Sequence, residues 1–432
     1  MSIVAEVRLW NRTIGAVSLE DGDPTASFEY SAQFARSGIQ PSPLVMPLSR
    51  RVWRFPSLPR ETFHGLPGLL ADSLPDRFGN TLIDAWLARN GRSAESFNAV
   101  ERLCYTGSRG MGALEFVPST GPAGKSHEID VAALTELAAE VLARRENLSS
   151  TLDTQSDAAM KQILQVGTSA GGARAKAVIA WNPRTNEVRS GQVGAPDGFE
   201  YWLLKFDGVT NRDKELADPE HFGAIEYAYY LMASAAGISM SRCRLHEENG
   251  RRHFMTRRFD RDEAGHKLHM QSLCALAHFD FNTAGAYGYE QAFEVLRTLA
   301  LPFDAAEQLF RRMAFNIMAR NQDDHVKNIA FLMDKSGRWS LAPAFDVTYS
   351  FNPGGLWTGT HQMTMNGKRD GFNADDFAAA ASSAGIKKSK MKEMLRDVSN
   401  AISRWPEFAH EAKVGSRQAD KIERAFRKGF NA

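Results

Sequence analysis

The pattern of apolar and polar residues predicts a small β-rich module at the start of the chain. Residues 4–34 are rich in β-forming side chains that turn-forming sequences interrupt. Between residues 66 and 90 the apolar spacing becomes helical and ends before Gly91. Small and turn-forming residues then predominate at 120–127, which is the best candidate for a linker.

Beyond the linker, helices and strands alternate before helices dominate. Strand-like segments follow a glycine-rich stretch, and a hairpin is predicted at 241–259 around Asn249 and Gly250. From residue 304 onward, apolar positions three or four apart predict mainly helices. We therefore divide the chain into a module at 1–120, a linker at 121–128, and two further parts at 129–260 and 261–432.

Composition and charge exclude several classes of protein. The 432 residues carry 52 Lys and Arg against 51 Asp and Glu, a net charge of +1 that excludes a strongly basic nucleic-acid wrapper. Cys104, Cys243 and Cys274 lie far apart, which excludes a disulfide framework and a cysteine zinc site. Charged residues near the N-terminus do not fit a signal peptide, and no apolar run of about 18 residues occurs. We expect a cytoplasmic protein that does not enter a membrane.

The most informative motif is Asn-Gln-Asp-Asp-His-Val-Lys-Asn at 321–328, because Asp323 and Asn328 have the D-x-x-x-x-N spacing of a kinase catalytic loop. The aspartate can accept a hydrogen bond from an attacking hydroxyl, and the amide oxygen can bind Mg²⁺. Asp324 has the wrong spacing for this role. Alone, such a polar string is more often a solvated loop.

A hairpin is predicted directly after this motif. Residues 329–333 and 339–341 have the pattern of strands around a turn, and the second strand leads to Asp346. Because Mg²⁺ prefers oxygen ligands together with phosphate oxygens, Asn328 and Asp346 form a chemically sensible pair. Without this context, Asp346 would be interpreted as a cap or turn residue.

Two features upstream could bind phosphate. The glycine-rich stretch 167–176 leads into a strand, and its small residues allow backbone N–H groups to approach phosphate oxygens, although a flexible surface turn fits equally well. Lys205 lies in an apolar strand, where a lysine needs a phosphate or a carboxylate as partner. Glu226, on the next helix, is the candidate carboxylate by analogy with the Lys–Glu pair of kinases.

The order of these parts is that of a protein kinase: glycine-rich loop, strand lysine, helix glutamate, D-x-x-x-x-N motif and returning aspartate. We therefore predict an α+β fold with a two-lobed protein-kinase-like (PI3/4-kinase-like) core, preceded by a small N-terminal β-rich module. Residues 129–260 would form the lobe with the glycine-rich loop, and residues 261–432 an all-α or mainly helical C-terminal lobe.

Six short segments occur in an order that is typical of one known family. They are GLLADSLPDRFGN at 68–80, SAGGARAK at 169–176, WLLKFD at 202–207, RRFDR at 257–261, DDHVKN at 323–328 and LAPAFDV at 341–347. In this combination they resemble the HipA-type serine/threonine kinases, the toxins of bacterial type II toxin–antitoxin pairs. The resemblance extends from about residue 4 to about residue 400. It implies an ATP- and Mg²⁺-dependent protein kinase.

The resemblance also implies roles for individual residues. Asp323 resembles the catalytic base, Asn328 and Asp346 the Mg²⁺ ligands, and Lys205 the lysine that binds ATP phosphates. The other implied nucleotide-binding positions are Ala170, Gly171, Gly172, Ala173, Arg174, Ala175 and Lys176 in the loop, Arg257, Arg258 and Phe259 in the hinge at the adenine, and His325 and Lys327 in the catalytic loop. His325 and Lys327 could equally serve the loop structurally.

Ser169 falls on the serine that family members autophosphorylate, and Thr168 beside it leaves this position open by one residue. A phosphate there would repel the phosphates of ATP and switch the kinase off. The family further implies a HipB-like helix-turn-helix antitoxin that neutralises the kinase and binds operator DNA. Its known protein substrates include aminoacyl-tRNA synthetases.

Two other functions remain open from the sequence. A small-molecule kinase would use the same lobes and the same catalytic motif, but the N-terminal segment at 68–80 favours the toxin family. A catalytically silent co-repressor or binding protein would be expected to lack the base or the metal ligands, and the chain has all of them.

Overall fold

The computed structural model describes residues 3–122, 128–143, 163–164, 166–167, 174–192, 194–209 and 221–430. The N-terminal module contains a four-stranded antiparallel sheet in the order β3-β2-β1-β4, with its own hydrophobic core. Its strands are β1 Ile3–Leu9, β2 Arg12–Leu19, β3 Ser27–Tyr30 and β4 Leu114–Val117, and its helices are α1 Arg60–Phe63, α2 Gly68–Ala71, α3 Arg77–Arg89 and α4 Ala99–Thr106.

The lobe that follows is built on a five-stranded antiparallel sheet in the order β6-β5-β7-β9-β8. Asn249 and Gly250 both have positive φ, which allows the tight turn of the predicted hairpin between β8 and β9. The elements of this lobe are α5 Val131–Ala143, β5 Lys176–Trp181, β6 Val188–Ser190, β7 Glu200–Lys205, α6 Phe222–Ala235, β8 Cys243–Glu248 and β9 Arg251–Arg257.

The C-terminal lobe is mainly helical, but it also contains a three-stranded antiparallel sheet in the order β10-β11-β12. The alternative description of this lobe as all-α therefore needs correction, because the hairpin predicted after the catalytic motif forms and pairs with a third strand. The elements are β10 His269–Ser272, α7 Leu273–Ala277, α8 Tyr289–Thr298, α9 Phe303–Met318, β11 Ala330–Met333, β12 Trp339–Leu341, α10 Ala374–Ser383, α11 Lys388–Ser403, α12 Trp405–Glu411 and α13 Ser416–Ala425.

One helix of the module belongs to the core of the next lobe. Phe78, Leu82 and Ile83 of α3 are buried in the same cluster as Ile179, Trp202 and other side chains of the five-stranded sheet. Helix α3 therefore precedes the proposed division at residue 120 in the sequence, but it packs in the core of the lobe that follows. None of the helices in the described parts of the chain has the length and apolar character that a membrane crossing requires.

Candidate active site

Three charged side chains from different elements meet at the end of β7. Lys205 Nζ lies 2.6 Å from Glu226 Oε1 on α6, and it also donates a hydrogen bond to Asp346 Oδ1 after β12. The side chains of Lys205 and Glu226 are only 11% and 2% exposed. The structure thus brings together the strand lysine, the helix glutamate and the returning aspartate that the sequence singled out.

This arrangement keeps Lys205 and Asp346 charged. Burial favours the neutral form of Asp346, but the positive charges of Lys205, Lys176 and Arg174 overcome this effect and lower its pKa to about 2. Burial likewise opposes the charge of Lys205, while Asp346 and Glu226 raise its pKa above the ordinary value. Asp346 also has a left-handed backbone (φ 52°), an uncommon conformation for a residue other than glycine that is concentrated at functional sites.

The catalytic motif forms a closed loop. Asn328 Nδ2 donates to the backbone oxygen of Asp323 at 2.8 Å, so the two ends of the D-x-x-x-x-N interval are hydrogen-bonded to each other. The Trp357 indole N–H donates to Asp323 Oδ1 at 2.6 Å and orients the carboxylate. His325 Nε2 is 3.8 Å from the same oxygen, and its ring lies near Phe281.

Asp324 has a different environment from Asp323. It is buried and accepts hydrogen bonds from Tyr289 Oη at 2.8 Å and from the backbone N–H of Gln362 at 2.8 Å, with His361 Nδ1 at 2.9 Å. Burial would raise the pKa of Asp324, but His361 and these hydrogen bonds lower it. Because its oxygens are engaged in the fold, Asp324 anchors the loop, whereas the side chain of Asp323 is 40% exposed. In the sequence, only its spacing from Asn328 distinguishes Asp324 from Asp323.

The hinge residues have separate surroundings. Arg257 binds Glu263 with a closest distance of 2.8 Å, and the buried Arg258 binds Asp260, which also accepts from the backbone N–H of Gly112 in the module. Both arginine side chains are therefore engaged in structural contacts. Phe259 instead lies 5.3 Å from the Phe345 ring, and both pack beside Leu268 and Met270 on the apolar floor formed by the β11–β12 hairpin.

Of the glycine-rich stretch, only Gly167 and residues 174–176 lie in the described part of the chain. Thr168, Ser169, Ala170, Gly171, Gly172 and Ala173 lie outside the described residues. Arg174 places its guanidinium 3.1 Å from the centre of the Phe222 ring, and Ala175 is buried. Lys176 is also buried, with Nζ 3.2 Å from Asp76 Oδ2 of the module. Its side chain therefore has a carboxylate partner that the sequence reasoning missed.

Lys327 lies in the short turn Val326–Asn328, with its ammonium 5.0 Å from the centre of the Phe281 ring. Burial raises the pKa of Asp72 and of Asp76, and the positive charge of Lys327 partly opposes this rise. The catalytic loop is thus electrostatically coupled to the segment that joins α2 to α3 of the module.

The side-chain oxygens of Asn328 and Asp346 are chemically suited to bind magnesium. The amide of Asn328 uses its N–H group on Asp323, which leaves its oxygen as the ligand atom, and Asp346 is 30% exposed. Among the residues that the structure describes, no three His, Cys, Asp or Glu side chains form a metal-binding group. Mg²⁺ is commonly bound through one or two carboxylates plus substrate phosphates, so the Asp346 carboxylate and the Asn328 amide oxygen are of the kinds that it prefers.

The fold, with this cluster of charged side chains, is that of a two-lobed, kinase-like α+β protein. The chain matches the HipA N-terminal domain at residues 5–117 and the HipA-like C-terminal domain at residues 168–405. Because the second match alone covers more than half of the 432 residues, the chain belongs to the HipA family. The resemblance that the sequence motifs indicated is therefore confirmed.

The chain is similar to a solved structure and to a curated protein. HipA of Shewanella oneidensis, in its complex with HipB and operator DNA, is 18% identical with a TM-score of 0.67, over 97% of this chain and 94% of that one. This similarity confirms the fold class. "Putative kinase Y4mE" of Sinorhizobium fredii is 29% identical over 136 residues, which are 29% of this chain and 32% of that protein. The match thus spans about a third of the length of that relative.

Proposed function

We propose that the protein is an ATP- and Mg²⁺-dependent serine/threonine protein kinase, the toxin of a toxin–antitoxin pair. The observation that carries this proposal is the contact of Lys205 with both Glu226 and Asp346. In protein kinases, the corresponding lysine–glutamate pair and metal-binding aspartate must both be in place for activity. Membership of the HipA family and the name of the Y4mE relative support the same activity.

Each residue has a defined task in this proposal. Lys205 binds ATP phosphates, and Phe259 with Phe345 offers an apolar surface to the adenine. Asp323, held by Trp357, accepts the proton of the attacking hydroxyl, and phosphoryl transfer is promoted mainly by positioning and electrostatics. Asn328 and Asp346 would hold Mg²⁺, which neutralises charge on the phosphates when bound.

Regulation and partners follow from the family. We propose that the acceptor is a cellular protein and that phosphorylation at Ser169, or at Thr168 beside it, inactivates the kinase. The Shewanella oneidensis HipA structure contains HipB and operator DNA. By analogy, we propose a HipB-like antitoxin as partner of this chain, with DNA bound mainly through the antitoxin.

The test is phosphate incorporation by the purified chain, first shown by intact mass to be unphosphorylated. After incubation with Mg²⁺ and γ-labelled ATP, we expect phosphate on Ser169 or Thr168, located by mass spectrometry, and phosphorylation of proteins in a lysate. The same protein without Mg²⁺ is the control. If the chain binds ATP but labels neither itself nor any protein, the proposal of a protein kinase is wrong, and labelling of small molecules alone would indicate a small-molecule kinase.

Replacing Trp357 by phenylalanine is expected to lower the rate of autophosphorylation about tenfold, because a hydrogen bond to a charged group is lost while the ring remains. The rate is measured by intact mass over time at saturating ATP. Trp10→Phe is a matched control, since Trp10 Nε1 donates to the backbone oxygen of Lys267 at 2.8 Å. Equal rates in the parent and Trp357→Phe would show that the indole does not orient Asp323.

A further inference from the structure

The segment at residues 72–76, between α2 and α3 of the module, contacts both lobes of the kinase core. Asp72 accepts hydrogen bonds from the backbone N–H of Ser272 at 2.6 Å and from its hydroxyl at 2.8 Å, at the start of α7 in the C-terminal lobe. Four residues later, Asp76 binds Lys176 on β5 of the other lobe. The module therefore connects the two lobes through two carboxylates on one short segment.

The position of this segment is fixed on the C-terminal lobe. A Cβ atom on Gly68 would lie 2.2 Å from the backbone oxygen of Ala275, so α2 approaches α7 more closely than another residue would allow. The backbone N–H of Gly68 also lies 3.0 Å from His278 Nε2. Because α2 is held against α7 in this way, the packing of the module on the C-terminal lobe also fixes the position from which Asp76 contacts β5.

Asp76 holds its carboxylate in one orientation. Oδ1 accepts a hydrogen bond from the backbone N–H of Gly79 at 2.6 Å and caps α3, while Oδ2 lies 3.2 Å from Lys176 Nζ. The two side chains are only 2% and 3% exposed. A carboxylate and an ammonium buried to this degree each need an opposite charge, because desolvation of an isolated charge is costly.

The location of Lys176 makes this pair relevant to the nucleotide site. Lys176 is directly opposite Lys205 in the antiparallel pairing of β5 and β7, so the two side chains lie on the same face of the sheet. Like charges in directly opposite positions destabilise a sheet unless nearby carboxylates offset them. Lys205 has Glu226 and Asp346, and Lys176 has Asp76.

We propose that Asp76 is a positioning residue of the kinase site: it binds Lys176 and keeps this ammonium from competing for Asp346, so that Asp346 serves Lys205 and a divalent cation. This inference rests on the proposed kinase function and extends it, because it makes the N-terminal module a working part of the nucleotide site. Lys176 is placed to compete because it lies directly opposite Lys205, whose ammonium binds Asp346.

Asp76→Asn tests this role because asparagine is as good a helix cap as aspartate, so α3 keeps its cap and only the charge is lost. The readout is the Mg²⁺ concentration that gives half of the ATP-dependent rise in unfolding temperature. We expect this concentration to increase about tenfold in Asp76→Asn. Such a change corresponds to a free-energy difference within the range of coupling energies between residues of one ion-pair network. Asp130→Asn is the matched control, since Asp130 caps α5 through the backbone N–H of Ala133.

Removal of the competing ammonium should rescue the defect. We expect the double variant Asp76→Asn/Lys176→Met to need no more Mg²⁺ than the single variant Lys176→Met. If Asp76→Asn acted only by disturbing the structure, the double variant would still need more Mg²⁺ than Lys176→Met. If Asp76→Asn does not fold, the comparison of Lys176→Met with the double variant decides in the same way. An unchanged Mg²⁺ requirement in Asp76→Asn, or a higher one in the double variant than in Lys176→Met, overturns the inference. A parent protein that shows no response to ATP with Mg²⁺ overturns the proposed function as well.

Discussion

Asp323→Asn is expected to lower the rate of phosphoryl transfer by about 10²–10⁴-fold, the contribution typical of a general base. The loop should keep its shape, because the asparagine oxygen can still accept from Trp357 and its backbone oxygen can still accept from Asn328. What disappears is the carboxylate that takes the proton of the attacking hydroxyl. The measurement is the rate of autophosphorylation at saturating ATP, followed by intact mass.

The control for this prediction is Asp197→Asn, which removes a carboxylate from an exposed loop. Both variants should show the parent's ATP-dependent rise in unfolding temperature, because neither change touches Lys205 or Asp346. If Asp323→Asn retained the parent's rate, Asp323 would not be the base. Loss of the ATP response would instead show that Asp323 is needed to form the nucleotide site.

Much of the site could be predicted because its residues belong to short patterns. The D-x-x-x-x-N interval and the hairpin after it are local, so one stretch of sequence indicated both Asp323 and the return to Asp346. Lys205 was conspicuous as a charge in an apolar strand, which required a partner. Analogy with the lysine–glutamate pair of kinases suggests Glu226 as this partner, and the structure places the two atoms 2.6 Å apart.

The remaining parts depend on contacts between distant segments. Trp357 lies 34 positions after Asp323, and nothing in its neighbourhood signals that its indole binds the carboxylate. Asp76 lies within the family segment at 68–80 and within the helical pattern at 66–90, but its partner lies 100 positions away on β5. An amphipathic helix shows which of its faces is buried and does not show against which sheet it packs.

The assignment of α3 illustrates the same limit. Its sequence lies within the predicted module, yet its apolar side chains complete the core beneath the five-stranded sheet. A division by composition follows the chain, whereas packing joins whichever apolar faces the topology brings together. This packing is also why a carboxylate at the start of α3 reaches Lys176, which local sequence patterns do not reveal.

Asp346→Asn is expected to abolish the Mg²⁺ dependence of ATP binding and to lower the rate of phosphoryl transfer by at least about 100-fold, since metal stabilisation of transferred charge is worth several kcal/mol. Lys205 keeps Glu226 as partner at 2.6 Å, so the protein should remain folded. The measurements are the unfolding temperature with ATP, with and without Mg²⁺, and the rate of autophosphorylation.

Glu226→Gln separates the two functions of this cluster. It removes the other partner of Lys205 but leaves the carboxylate that would bind the metal, so we expect weaker ATP binding that still responds to Mg²⁺.

Because the pKa of Asp346 is about 2, its carboxylate is ionised above that value, and its contribution is lost only as the pH falls through about 2. Between about pH 5 and 9, titration of Asp346 should therefore not change the Mg²⁺ response of the parent protein. An Asp346→Asn protein whose ATP binding still required Mg²⁺ would exclude this residue as a metal ligand and leave Asn328 as the candidate.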